Sequence, residues 1–374
     1  MFEFRLDATD GRARAGTLKL PHGVVRTPAF MPVGTNGTVR GLSPADLMGV
    51  GSQIILANAY HLHLRPGEDT VTALGGLNRF MAWNRPILTD SGGFQIFSLD
   101  KLRSVSENGV EFRSHIDGRR LEMTPESAVD IQRKLGSDVI MALDHVIPGE
   151  SDRSATADAL DRTQRWLERC HSQYSLTAGG PESQTLWPII QGGAYTDLRL
   201  ESVRRTLDLE DWTGIAIGGL AVGEPKPVMY SVLDAVESSL PTRIPRYLMG
   251  VGFPEDVLRS VAAGVDLFDC VAPTRNGRNG QAYTSDGPLN IKNAPFKNDP
   301  EPLEGDCDCE TCTTFSRGYL RHLFIAQELL ALRALSLHNV RFLVRLGEQA
   351  RGKVMEGTFE LWCKNWLARY RGQQ

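Results

Sequence analysis

Several things are missing from this chain, and each absence excludes something. No apolar run approaches the ~18 residues of a membrane span. The first stretch, MFEFRLDATDGRAR, lacks the positive start and apolar core of an export signal. The formal net charge is −4, which excludes a generally cationic nucleic-acid coat but not a local basic patch. Cysteine is scarce: Cys170, Cys270, Cys307, Cys309, Cys312 and Cys363 are the only six in 374 residues. No G-x-G-x-x-G follows the first apolar run, so a dinucleotide-binding sheet is weakly supported. There is no internal repeat and no low-complexity tract. What remains is an ordinary globular composition, and the expectation is a cytoplasmic protein without a membrane partner.

One pattern recurs from residue 50 onward. A short run rich in Ile, Val and Leu ends in polar or glycine residues, and a helical stretch follows. The runs are QIILAN (53–58), RPILTDSGG (85–93), DVIMALD (138–144), WPIIQGG (187–193), GIAIGG (214–219), YLMGVG (247–252) and VDLFDC (265–270). TPESAVDIQRKLG (124–136) opens with Thr-Pro, has a Glu two positions after the threonine, and stops at Gly136. Helical periodicity also marks 154–170, 196–208 and 227–240, and Pro254 starts another helix. Alternating strand and helix means parallel strands with helical crossovers. Seven runs plus one near the N-terminus predict an α/β fold, a (β/α)8 TIM barrel, over an open doubly wound sheet. The regularity stops after residue 280. The expected division is a barrel over 1–283, a zinc-binding subdomain over 284–346 with one long helix from about 315, and a C-terminal helix over 347–374 completing the barrel.

In such a barrel the active site forms where strands end. The ends here are Asp90-Ser91-Gly92-Gly93, Asp144, Gln191-Gly192-Gly193, Gly218-Gly219, Gly250 with Gly252, and Asp269. A lone Asp after a strand is more often a helix cap than a catalyst, and a Gly-Gly pair is more often a turn. Their joint occurrence at successive strand ends points to a site. Glycines let backbone groups read a flat ligand's edge. Asp144 can accept two N–H bonds from a base such as guanine, and Gln191 can donate and accept. A second carboxylate attacking an anomeric carbon while a third moves a proton is the logic of double displacement.

Cys307, Cys309 and Cys312 form C-x-C-x2-C. With His338 they make a closed tetrahedral zinc set, which leaves no open position and is therefore structural. His322 is the competing fourth ligand. From residue 313 onward ten basic residues face four acids, which suits a phosphate-binding face or an ordinary solvated helix face.

The stretch LFDCVAPTRNGRNG (267–280) leaves two nucleophiles, Asp269 and Cys270, side by side. A thiolate is the stronger nucleophile in general. A carboxylate is the usual attacker at an anomeric carbon. Adjacent strand residues face opposite ways, so if Asp269 points into the mouth, Cys270 points into the wall.

Taken with DSGGFQIFS (90–98), IMALD (140–144), IIQGG (189–193), GGLAVGE (218–224), YLMGVGFPED (247–256) and CDCETC with His338-Asn339, that stretch makes the chain resemble the tRNA-guanine transglycosylases of the queuosine pathway, over essentially its whole length. The resemblance implies a zinc-bearing (β/α)8 barrel that acts as a homodimer. It exchanges the wobble guanine of tRNAs with GUN anticodons for a 7-deazaguanine base. It implies Asp269 as nucleophile and Asp90 as proton acceptor and donor. Ser91, Gly92, Gly93, Phe94, Asp144, Gln191, Gly219, Leu220 and Met249 would hold the base. Gly250, Val251, Gly252, Phe253, Pro254, Glu255 and Asp256, with the loop Thr274, Arg275, Asn276, Gly277 and Arg278, would hold the anticodon loop. A flipped base in a single-stranded loop costs little to extract, which agrees.

One departure concerns the incoming base. Asp144 is followed by His145 and Val146, where bacterial preQ1-using members carry Glu and Cys. Queuine-using eukaryotic members have Val at the second position. GGLAVGE, with Val222, is of the bacterial kind. The expected base is preQ1, with queuine as the alternative. A non-catalytic tRNA-binding subunit would lack Asp269 or Asp90, and a zinc-dependent aldolase-like barrel would carry its ligands at strand ends.

Overall fold

The computed structural model describes residues 2–97, 103–176 and 183–372. Its centre is a ring of parallel strands. In chain order they are Ala29–Gly34, Ile55–Asn58, Ile87–Asp90, Val139–Met141, Thr185–Trp187 with Ile189–Ile190, Ile215–Ile217, Arg246–Leu248 and Leu267–Cys270. Each pairs in parallel with the next, and Leu267–Cys270 pairs with Ala29–Gly34. The two segments flanking Pro188 are one bent strand, because proline has no N–H for the ladder. Trp187 O accepts from Ala142 N on one side, and Pro188 O from Ala216 N on the other, so the ring closes through that bend. All seven predicted runs, and the one expected near the N-terminus, are barrel strands.

Residue parity sorts the barrel into layers. Leu56, Leu88, Val139, Met141, Ile189, Ala216, Tyr247 and Leu267 fill the interior together with Leu18, Leu20 and Val25. Their neighbours Ile55, Ile87 and Ile140, or Ile190, Ile217, Leu248 and Phe268, pack outward against the helices. The last three interior residues come from an antiparallel sheet (Glu3–Asp10, Ala13–Leu20, Gly23–Thr27) that plugs the bottom of the barrel. The strand–helix pattern begins only after this sheet, so the sequence reading did not anticipate it. A second small sheet (Arg103–Val105, Val110–Arg113, Arg120–Met123) precedes the helix Pro125–Leu135.

That helix starts as expected at Thr124, with Pro125 in its first turn, and ends at Gly136 in the left-handed region. The partner in its capping box is Ser127, not the glutamate: Thr124 N donates to Ser127 Oγ at 2.9 Å. Glu126 is turned instead to Arg169, at 2.7 Å.

Three further corrections apply to the last third. The stretch 272–278 is a short helix, Ala272–Arg278, not a loop. Its Gly277 lies so close to the helix Leu329–Met355 that a Cβ there would sit 2.7 Å from Ser336 N. The long helical stretch from about 315 is two helices, Arg317–Ile325 and Leu329–Met355, interrupted where Gln327 adopts a φ of 60°. The second runs straight through residue 346 and packs on the barrel at Gly347, beside Pro28 O. The chain ends in the helix Phe359–Arg371.

Candidate active site

At the C-terminal ends of the strands, the parity that fills the barrel with apolar residues continues with polar ones. Leu56 is followed two residues on by Asn58, Leu88 by Asp90, Ile189 by Gln191, Ala216 by Gly218, Tyr247 by Met249 and Leu267 by Asp269. Asp90, Gly218, Met249 and Asp269 line a cavity of about 350 Å³, and Asn58 and Gln191 stand behind it, bonded to Asp90 and Asp144. Of the predicted residues, Asp90, Ser91, Gly92, Gly93, Phe94 and Asp144 line it on one side. Gly219, Leu220, Met249, Gly250, Asp269 and Arg275 line it on the other.

Asp90 sits at the floor. It accepts from Asn58 Nδ2 at 2.6 Å, Ala59 N at 3.1 Å and Gln95 Nε2 at 3.2 Å. Burial pushes its carboxyl up to about 7; the Ala59 N–H pulls it down, while the nearby Asp269 charge adds to the rise. Asp269 is held differently. Tyr247 donates its hydroxyl to Oδ1 at 2.6 Å and Gly250 donates its N–H to the same oxygen at 2.7 Å. Burial raises the Asp269 carboxyl too, and those two donors work against it. Burial raises both carboxyls, and each is held by its own set of donors, an arrangement in which one acid could move a proton while the other attacks.

Asp144 and Gln191 form the recognition pair. Gln191 Nε2 donates to Asp144 Oδ2 at 2.6 Å. Burial lifts Asp144 to about 6 against that hydrogen bond. Gly219 has a φ of +61°, and a Cβ there would lie 2.1 Å from Gln191 Oε1, so only glycine fits. The Gly218-Gly219 backbone is fixed from behind by the fully buried Arg199. Its guanidinium donates to the carbonyls of Gly218 at 2.6 Å, Gly219 at 3.0 Å, Ile190 at 3.1 Å and Gly193 at 2.8 Å. Phe94 is half exposed at the rim, free to lie over a flat ligand.

Parity separates Asp269 from Cys270. Leu267 faces the interior and Phe268 the helices, and Cys270 packs with the outer layer, where Gly252 presses on its Cβ. Burial raises the Cys270 thiol to about 11, so it is not a thiolate at neutral pH. Its edge still borders the cavity.

The residues expected to hold RNA divide by exposure. Arg275 is exposed, and Asn276 and Arg278 are half-buried. Thr274 and Gly277 are buried against the helix Leu329–Met355, where Ser336 Oγ donates to Thr274 O. Phe253 is exposed, whereas Val251, Gly252, Pro254 and Asp256 are buried. Asp256 is engaged by Lys226 at 2.9 Å and the Tyr230 hydroxyl at 2.5 Å, and Glu255 by Arg259 and Arg371. Among the described residues, Arg278 Nη1 is buried without a hydrogen-bond partner. Burial, together with the neighbouring charges of Arg40 and Arg275, holds its guanidinium below its ordinary value. An anion placed among these like charges would be held by charge-assisted hydrogen bonds.

The candidate metal centre lies apart from the mouth. The ligand atoms of Cys307, Cys309, Cys312 and His338 all lie within 4.8 Å of one another. His338 Nδ1 is 3.7, 3.7 and 3.2 Å from the three sulfurs. The N···S edge of a tetrahedral zinc site is about 3.5 Å. His338 Nε2 lies 2.7 Å from Tyr283 O, which fixes the ring and leaves Nδ1 for a metal. The donor set thus suits a metal ion such as zinc. His322 belongs to the other helix and is not part of this group. His338 lies mid-helix on Leu329–Met355 and reaches the cysteines because that helix passes alongside them. The next residue, Asn339, ties the group to the mouth: it donates to Pro273 O at 3.0 Å and Gln281 O at 2.8 Å and accepts from Tyr283 N at 2.8 Å.

Asn58, Tyr247, Arg199 and Arg40 were not singled out in the sequence. Parity within their runs could have found Asn58 and Tyr247. Arg199 and Arg40 carry no local signal.

A family model described as Queuine tRNA-ribosyltransferase matches residues 9–372. Relatives bearing that name include one from Herpetosiphon aurantiacus, 51% identical over 370 residues, covering 99% of this chain and 93% of the relative. One from Oleidesulfovibrio alaskensis is 52% identical over 357 residues, covering 96% and 94%. One from Deinococcus radiodurans is 50% identical over 370 residues, covering 99% and 92%.

Proposed function

This chain belongs to the queuine tRNA-ribosyltransferase family, and on that premise we propose that it exchanges the wobble guanine of tRNAs with GUN anticodons for preQ1, by double displacement through an Asp269–tRNA ester. The observation that carries this reading is the pair of carboxyl groups in one cavity, Asp90 lifted to about 7 and Asp269 engaged by two donors that oppose the rise from burial. In the first displacement an Asp269 oxygen bonds to C1′ as the C1′–N9 bond breaks. The bonding pair leaves with guanine, which takes the Asp90 proton. In the second, the incoming base gives its N9 proton to Asp90 and attacks C1′, and the ester pair returns to Asp269. Both acids end as they began.

Base recognition follows from the Asp144–Gln191 pair. Asp144 offers two acceptor oxygens to the N1–H and exocyclic amine that guanine and 7-deazaguanines share. Phe94 and Met249 supply the flat faces. Ala221 N donates to Glu224 Oε1 at 2.5 Å and Val222 N to Oε2 at 3.0 Å. The N–H and C=O of a peptide point in opposite directions, so the Leu220 carbonyl is turned away from Glu224. Among the described residues that carbonyl has no donor, so it could accept from the ammonium arm of preQ1. Queuine is the second reading, favoured by Val146, which lines the cavity, while His145 turns toward Arg162 at 3.1 Å. Neither residue places an acid on the arm.

Arg275 and Arg278 would take phosphates of the anticodon loop, with Phe253 and the Gly250–Asp256 turn along the RNA path. Zinc would be held by Cys307, Cys309, Cys312 and His338. It supplies a fixed cross-link that seats the Ala272–Arg278 helix beside the nucleophile. The protein would work in the cytoplasm as a homodimer. Against the non-catalytic reading, both carboxylates stand at the mouth. Against the aldolase-like reading, the metal ligands stand away from it. The test is a base-exchange assay on guanine-labelled tRNA with guanine, preQ1 and queuine in parallel. Displacement of label by preQ1 supports the reading; displacement by queuine alone overturns preQ1, and displacement by none overturns the exchange.

A further inference from the structure

We propose that Tyr247 is a positioning residue for the base exchange: with Gly250 N–H it engages one oxygen of Asp269, Oδ1, and so commits the other, Oδ2, to attack on C1′. The inference rests on the reading of Asp269 as nucleophile and concerns how that nucleophile is made directional and reversible.

A free carboxylate has two equivalent oxygens and turns about its Cβ–Cγ bond. Here that equivalence is broken. Tyr247 Oη lies 2.6 Å and Gly250 N 2.7 Å from Oδ1, and among the described residues no donor is found on Oδ2. Both donors are set by the backbone or the core. Tyr247 is fully buried and belongs to the barrel's interior core, two residues before Met249 on the same face. Gly250 has a φ of +77°, the conformation from which its N–H reaches back to the strand beside it. The phenol's burial, with Asp269 as its charged partner, holds its own ionisation well above the ordinary range. It stays a donor wherever the enzyme works.

The chemistry assigns each oxygen a task. As the Oδ2–C1′ bond forms and the C1′–N9 pair leaves with guanine, Oδ1 becomes the carbonyl oxygen of a neutral ester. The two donors then bond more weakly, because a charged acceptor makes the stronger hydrogen bond. When the second base attacks C1′, the Oδ2–C1′ pair returns to the carboxylate and both hydrogen bonds regain strength. Tyr247 therefore favours the free carboxylate over the ester and keeps the covalent intermediate from becoming a trap.

The test is Tyr247→Phe in the full chain, measured with tRNA and guanine. A hydrogen bond to a charged group is worth about one order of magnitude in such an equilibrium. The ester-bound fraction at fixed guanine should therefore rise about tenfold, and the acid limb of the kcat profile should move to higher pH. A fluorinated tyrosine at 247, a stronger donor of the same shape, should move the acid limb the opposite way. An unchanged ester fraction and pH limb in both variants would overturn the proposal and leave Tyr247 as core packing. Asp269→Asn is the control for the underlying reading: an ester that still forms in it overturns the nucleophile assignment itself.

Discussion

Leu267 and Asp269 share one face of the last barrel strand. Leu267 closes the interior core, and Asp269, two residues on, opens the mouth. The same step from core to chemistry occurs between Leu88 and Asp90 and between Ile189 and Gln191. A strand's period of two thus fixes what faces the substrate, without any loop having to choose a conformation.

Asp144→Asn should trade recognition for stability. Burial raises the wild-type carboxyl to about 6. For an acid whose folded value lies above its unfolded one, the favourable contribution is present below about pH 4 and lost as pH rises through 6. At pH 8 the ionised group costs on the order of 2–3 kcal/mol. The asparagine variant should melt a few degrees above wild type at pH 8 and no higher at pH 4. Its guanine affinity should fall roughly 10- to 100-fold, because one acceptor oxygen becomes an amide facing a donor. Melting curves at both pH values and calorimetric guanine titration check the two halves.

Arg278→Ala should weaken tRNA binding and leave guanine binding intact. The slope of log Kd against log salt should fall by roughly 0.7 to 0.9 for the lost phosphate contact. A salt series of tRNA titrations measures it. Arg40→Ala should act in the same direction if it shares that anion, and Arg26→Ala, on the barrel's closed end, should not.

Stripping the metal should loosen the 281–346 region and the Ala272–Arg278 helix together, since Asn339 bonds to both Pro273 and Gln281. Hydrogen exchange after chelation should show lost protection there while Val139–Met141 and Ile215–Ile217 stay protected. Global loss of protection would contradict a locally structural metal.

Much of this was legible in the sequence, for physical reasons. Buried parallel strands must be apolar runs, so seven were located and an eighth was expected near the N-terminus, and the polar residues at their ends pointed to the mouth. Cys307, Cys309 and Cys312 lie within six residues, so a group able to hold a metal could be expected there. What the sequence concealed depends on contacts between distant segments. Arg199 reaches four carbonyls from a helix face that reads as solvated. The N-terminal plug is antiparallel and precedes the repeat. The Thr274–Arg278 stretch looks like a loop because Asn and Gly break helices, yet Gly277 is required there by the closeness of Ser336. The break at Gln327 has no glycine or proline to mark it.

Acid-quench gels of enzyme mixed with tRNA and guanine test the account most directly. Wild type and Cys270→Ala should each show a covalent enzyme–tRNA band, and Asp269→Ala should show none. A band that survives in Asp269→Ala and disappears in Cys270→Ala would contradict it.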